Sequence, residues 1–211
     1  MAPPASAREL LSRVESAVGA DRAAVLRSLR TNGNLLARVS DSLKADREIV
    51  AAAIEQCGSA LAYADGSLRA DREMALKAVQ QTGYALEVIH PELRCDEELV
   101  LAAVAENGNA LQFASHELCE DRAFVLRALS AGGPAAPAVA FASRELLDDP
   151  DFLVAAVRQN AWTLGYLPEQ AKRDPSLIGE AVKRNGRRWN PMHPNCKVRG
   201  RTTWARKEAA A

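Results

Sequence analysis

The chain has 211 residues, 48% hydrophobic and 26% charged, which excludes wholesale disorder and allows a sizeable core. Only 5% are aromatic while Ala, Leu and Val dominate, a mix that favours helix over sheet. The formal net charge is zero, yet residues 183–211 hold nine basic residues against one acidic, leaving 18 basic and 26 acidic in residues 1–182. An acidic body gives no reason to expect nucleic acid along its length.

The N-terminal MAPPASARELL lacks the charged-then-apolar run of a signal peptide, and no apolar stretch approaches the roughly 18 residues of a membrane span. Four cysteines with no CxxC pairing fit a reduced, cytoplasmic setting. Leu11, Val14 and Val18 fall 25 residues before Leu36, Val39 and Leu43. Residues 1–20 therefore read as a capping half-repeat, a start that also permits a longer array.

Residues 21–186 repeat themselves. Asp recurs at Asp21, Asp46, Asp71, Asp96 and Asp121, slips by three residues to Asp149, and returns 25 later at Asp174. Twelve after each Asp stands Gly33, Gly58, Gly83, Gly108, Gly133, then Ala161 as an exception, then Gly186. Eight after it stand Leu29, Ile54, Val79, Val104, Leu129, Val157 and Val182, and seven after it Ser28 followed by Ala in every later unit. Each unit predicts an Asp-capped helix of about 11 residues with an apolar stripe at +3, +4, +7 and +8. The Gly is expected to close that helix in the left-handed conformation. A second apolar set, such as Leu61 with Ala64 or Leu86 with Ile89, predicts a short second helix of about two turns. Leu43, Leu68, Leu93, Leu118 and Leu146 mark a last inward position before the next cap. Helices this short are marginal alone, so they must stack.

The predicted fold is all-α: an α-solenoid of about seven 25-residue long-helix/short-helix repeats with terminal caps, forming a curved rod on the order of 60–70 Å long. SAGGPAAPAVAFAS (130–143) interrupts it with the three extra residues and Pro134 and Pro137, which disfavour the short helix and predict a bulged loop or a bend. The default there is a tolerated insertion; a hinge is the sharper reading. Residues 187–211 form a basic cap or tail.

The line DREIVAAAIEQCGSALAYADGSLRADREM, with its D-R-E, A-V, A-L and E-L register, resembles the repeats of domain of unknown function 4116. That resemblance covers roughly residues 20–186 and implies a helical array with no known catalytic residue. There is a fainter similarity to leucine-rich-variant repeats, which alternate α- and 3₁₀-helix, so the winding of the short element stays open between the two.

No catalytic, metal-binding or cofactor-binding residue is expected. The Asp ladder has a capping role, and Asp148, Asp149 and Asp151 read as helix-start acids without a calcium-loop pattern. His90, His116 and His193 lack a partnered nucleophile, and His193 with Cys196 lacks a second ligand pair. Arg22, Arg47, Arg72 and Arg122 form a ladder that Glu48, Glu73 and Glu98 are placed to neutralise, giving a charge-balanced edge rather than a phosphate stripe. Cys95 and Cys119, on adjacent repeats, are expected as free thiols.

The positions that vary are +6, +10 and +13. From these come the candidate partner-binding residues Arg27, Lys77, Gln81, Tyr84 and Trp162, with Tyr84 and Trp162 as aromatic anchors and a buried, gap-filling Trp162 left open. The expected function is a monomeric, non-enzymatic scaffold for a protein or peptide partner. The alternative is nucleic-acid binding through the tail, by Arg187, Arg188, Trp189, Arg199, Arg201 and Trp204, where basic residues alternate with stacking aromatics.

Overall fold

The computed structural model describes residues 22–132 and 138–185. The half-repeat 1–20, residues 133–137 and the tail from 186 lie outside that range, as do the expectations placed on them.

Seven long helices carry the seven units: α1 (Arg22–Leu29), α2 (Arg47–Gln56), α3 (Arg72–Gln81), α4 (Glu97–Glu106), α5 (Arg122–Ala131), α6 (Pro150–Gln159) and α7 (Pro175–Asn185). Each packs on the next in chain order. The Asp caps hold: Asp46 accepts from the Glu48 and Ile49 amides, Asp71 from Met74, Asp96 from Leu99, Asp121 from Ala123 and Phe124, Asp149 from Asp151. Asp174 does the same for Ser176 at the head of α7.

The second element is 3₁₀ in every described unit: Gly33–Arg38, Gly58–Tyr63, Gly83–Glu87, Gly108–Phe113, Ala138–Phe141 and Ala161–Tyr166. It is pinned by three-residue bonds at both ends; the Ala60 amide donates to Cys57 at 2.9 Å and the Ala64 amide to Leu61 at 3.1 Å. Tightening to 3₁₀ aligns two buried residues three apart, Leu61 and Ala64 or Leu86 and Ile89, on one inward edge. Where Asn precedes the segment it caps it, Asn32 accepting from Asn34, Asn107 from Asn109 and Asn160 from Trp162. Despite Pro134 and Pro137, a shortened 3₁₀ segment forms at Ala138–Phe141, so the insertion displaces the element without abolishing it.

The glycines correct a second expectation. None of Gly33, Gly58 or Gly83 has a positive φ, so none serves as a left-handed cap. Instead a β-carbon on Gly33, Gly58 or Gly83 would press into the backbone carbonyl of Ala53, Ala78 or Ala103, the small +7 residue of the next long helix. Glycine and alanine thus form one close approach between neighbouring repeats.

A third short turn closes each of the first six units: α-helical at Asp41–Lys44, Gly66–Arg69, His116–Glu120 and Arg144–Asp148, 3₁₀ at Pro91–Cys95 and Ala171–Arg173. These turns are stitched between repeats by backbone bonds. The amides of Asp65, His90, Ser115 and Ser143 donate to the carbonyls of Lys44, Arg69, Arg94 and Cys119 of the preceding unit at 3.0, 3.1, 3.0 and 2.9 Å. Leu68 and Leu118 are buried from these turns, with Leu43, Leu93 and Leu146 partly so.

The core is one continuous cluster running from Val25 to Ala181, with Phe124 and Phe152 its largest fully buried side chains. One residue in it is at odds with its surroundings. Thr163 is fully buried where other units carry Ala60, Ala85, Ala110 and Ala138, and its hydroxyl has no hydrogen-bond partner. An unsatisfied buried hydroxyl costs about 1–3 kcal/mol. Thr163→Val, which keeps the shape, is expected to raise stability by about 1 kcal/mol, read as a higher urea midpoint at unchanged slope.

Candidate functional site

The array presents two contrasting surfaces. On the long-helix edge, charge is closed on itself. Arg22 donates to both Asp46, at 3.1 Å, and Glu48, at 2.5 Å. Arg47 does the same with Asp71 and Glu73, both at 2.5 Å, and Arg72 with Asp96 at 2.6 Å and Glu98 at 2.5 Å. Each arginine therefore reaches the cap carboxylate and the following glutamate of the next repeat. These bonds hold Asp46, Asp71 and Asp96 below the ordinary carboxylate range, the arginine bond being the largest cause, and raise the arginines. Arg122 pairs with Asp149 at 2.7 Å. In the fourth unit Glu97 replaces the arginine and pairs with Arg127, whose guanidinium also lies 5.7 Å over the Phe124 ring. The ladder is charge-balanced, as its glutamates imply, and offers no row of phosphate-seeking cations.

The 3₁₀ surface is different. Among the described residues, those at +12, +14 and +15 are buried, while those at +13, +16 and +17 are exposed or half-buried. At +17 stand Tyr63, Phe113, Phe141 and Tyr166, a run of aromatics broken by Val88 and preceded by Arg38. Tyr63 and Tyr84 are 42% and 43% exposed, so both rings offer free area. Tyr84, at +13, meets Phe113, at +17 of the next unit, edge-on with ring centroids 6.1 Å apart. That contact shows how the two columns interlock across a repeat boundary. Consecutive 3₁₀ segments touch along the stack, which makes the columns a continuous row.

The sequence-derived candidates divide between the two surfaces. Arg27, Lys77 and Gln81 are exposed on long helices, with Lys77 tied to Glu73 at 2.9 Å. Tyr84 and the half-buried Trp162 belong to the 3₁₀ row. The +6 column is not uniformly exposed, since Ala52 is buried. Arg187, Arg188, Trp189, Arg199, Arg201 and Trp204 lie outside the described residues. Sequence reading missed the +17 aromatics, although Tyr63 and Phe113 stand two 25-residue periods apart and Phe141 and Tyr166 one, which was a usable signal.

No group of three or more metal-ligating side chains occurs among the described residues. Cys57, Cys95 and Cys119 are free, and burial pushes the Cys119 thiol upward. A shallow depression between α5 and α6 is lined by Ala123, Leu126, Arg127, Ser130, Ala131 and Gln159. No described helix is long and apolar enough to cross a membrane.

Long helix, 3₁₀ segment and short turn, repeated six times among the described residues and followed by a seventh long helix, locked by backbone and arginine bridges, define a short-repeat α-solenoid. The chain belongs to the family of the domain of unknown function DUF4116, whose signature matches residues 21–66, 46–94 and 96–135, each match spanning about two units. Neither a curated protein nor a solved structure matches it.

Proposed function

We propose that the protein is a non-enzymatic docking scaffold that binds a protein or peptide partner along its 3₁₀ surface, acting as a cytoplasmic monomer. The observation that carries this reading is the row of exposed and half-buried aromatics, one per repeat in most units, on a surface with little charge. Aromatic side chains supply large contact area at small entropic cost and dominate interface energetics. The long-helix edge is a weaker candidate, because its arginines already hold partners within the array. Nucleic-acid binding through the basic tail is supported by the sequence of residues 187–211 alone.

The test is selection of a random phage-displayed peptide library on the immobilised full chain, with counter-selection on a Tyr63→Ser/Tyr84→Ser double variant. Peptides retained by the wild type and lost on the double variant are the expected result. Enrichment that ignores the double substitution, or no enrichment, overturns the reading.

A further inference from the structure

We infer that the array is jointed between its fifth and sixth units: the first five units form one stiff block, the last two another, and the two blocks pivot at the α5–α6 junction. The joint belongs to the frame of the fold and does not depend on what the 3₁₀ surface binds.

The first four junctions share a main-chain stitch. Its donors, Asp65, His90, Ser115 and Ser143, reach the carbonyl two residues before the Asp cap that opens the donor's own unit. In the sixth unit the donor's place falls to Pro168, whose ring leaves no N–H. The backbone arrives there in the same conformation. Leu167 ends its 3₁₀ segment at φ −71°, ψ 162°, as Ala64 does at φ −71°, ψ 159° and Ala114 at φ −64°, ψ 162°. The stitch to the Leu147 carbonyl is therefore lost for want of a proton, while the register is kept.

Side-chain links thin out at the same junction. Arg22, Arg47 and Arg72 each reach two carboxylates of the next unit, whereas Arg122 pairs with Asp149. Asp151 stands where Glu48, Glu73 and Glu98 stand, and its side chain is one methylene shorter. The Ser130 hydroxyl donates to the Gln159 amide oxygen at 3.3 Å, a neutral bond. A depression of about 550 Å³ opens here along Leu126, Ser130 and Gln159, and beside it one of about 460 Å³ along Arg122, Val154 and Arg158. None of these groups belongs to residues 133–137.

The flanking junctions are better held. Between units four and five the Ser143–Cys119 stitch is joined by the Arg127–Glu97 pair. Between units six and seven Arg158 donates to Glu180 at 2.9 Å, a carboxylate only 19% exposed. Across the α5–α6 junction the core continues, with Phe124 and Phe152 fully buried to either side. Apolar contact is non-directional, so it keeps the blocks together without fixing their angle. A swing there leaves Tyr63, Phe113 and Phe141 in step and shifts Trp162 and Tyr166 relative to them.

The test is pulsed electron spin resonance on the full chain, its four native cysteines replaced by alanine. Spin labels are placed in pairs on Thr31→Cys, Glu106→Cys and Arg184→Cys. These exposed positions are equivalent, in units one, four and seven, so each pair spans three junctions. The 106–184 distance distribution is expected to be about twice as broad as the 31–106 one, or broader. Pro168→Ser with Asp151→Glu restores both missing links and should bring the two widths together. Ser115→Pro with Glu98→Asp copies the two differences onto the third junction and should broaden 31–106; Ser115 sits at φ −64°, which proline accepts. Circular dichroism melts establish that each variant is folded. Equal widths in the parent chain overturn the joint, and so does a 106–184 width that the restoring substitutions leave unchanged. If the restoring variant does not fold, the transplanted pair decides: a 31–106 width that fails to broaden overturns the joint.

Discussion

Gly58→Ala is expected to destabilise the array by about 3 kcal/mol, far more than an exposed glycine-to-alanine change. The added β-carbon would meet the Ala78 carbonyl oxygen inside contact distance, with the Thr82 Cγ2 at 2.8 Å and the Gln81 Cβ at 3.1 Å. The first of these is backbone at the centre of α3, so no rotamer change relieves it; the two repeats must separate. Separation would strain the His90–Arg69 backbone bond and the contacts of Arg47 with Asp71 and Glu73, which span the same two units. Two comparisons isolate the cause. Gly66, where a β-carbon meets only the Arg69 guanidinium at 3.9 Å, should accept alanine within about 0.5 kcal/mol. Gly58→Asn separates close approach from backbone conformation: a left-handed glycine tolerates Asn better than Ala, whereas here Asn must be worse. Urea denaturation of the three variants reads all of this, and an Asn variant milder than the Ala variant would refute the close-approach account.

The glycine also shows where the sequence was legible and where it misled. The seven long helices were visible because Asp caps and apolar stripes act locally, within one turn or one face. Glycine twelve residues after each cap was equally visible, but a helix-end glycine has two physical explanations, and the one that applies depends on a carbonyl about 20 residues further along the chain. The 3₁₀ winding was undecided for a related reason: Leu61 and Ala64 suit either helix over so short a span. The arginine ladder was anticipated because Arg47 and Glu73 stand in fixed register, whereas the stitch from Asp65 to Lys44 joins main-chain atoms that no side-chain pattern reports. The aromatic row was half seen. Tyr84 and Trp162 stood out as irregular at +13, while Tyr63, Phe113, Phe141 and Tyr166 blended into a column that also holds Arg38 and Val88.

Replacing Asp46, Asp71 and Asp96 together by Asn should lower stability at pH 7 by about 1 kcal/mol or less in total and flatten its dependence on acid. Asn remains a good N-cap, so the change removes charge while leaving the helix starts intact. Each aspartate side chain is about a quarter exposed, at 28%, 26% and 23%, and each arginine about half, so solvent screening keeps every pair near the lower end of the ion-pair range. The sign follows from the direction of the shifts. All three carboxyls titrate below their unfolded value in the folded chain, chiefly through their arginine bonds. Their contribution is therefore complete above the unfolded aspartate value of about 3.9 and is lost as pH falls through the lower folded values. Wild type and triple variant should differ at pH 7 and converge in strong acid, with high salt narrowing the gap at neutral pH. Parallel acid limbs would show that the ladder contributes nothing. Because each repeat contacts mainly its neighbours, the loss should also be local. Amide exchange is expected to accelerate across α1 to α4, the helices these bridges join, before it does so in α6 and α7, whereas uniform acceleration would mean that the array unfolds as a single unit.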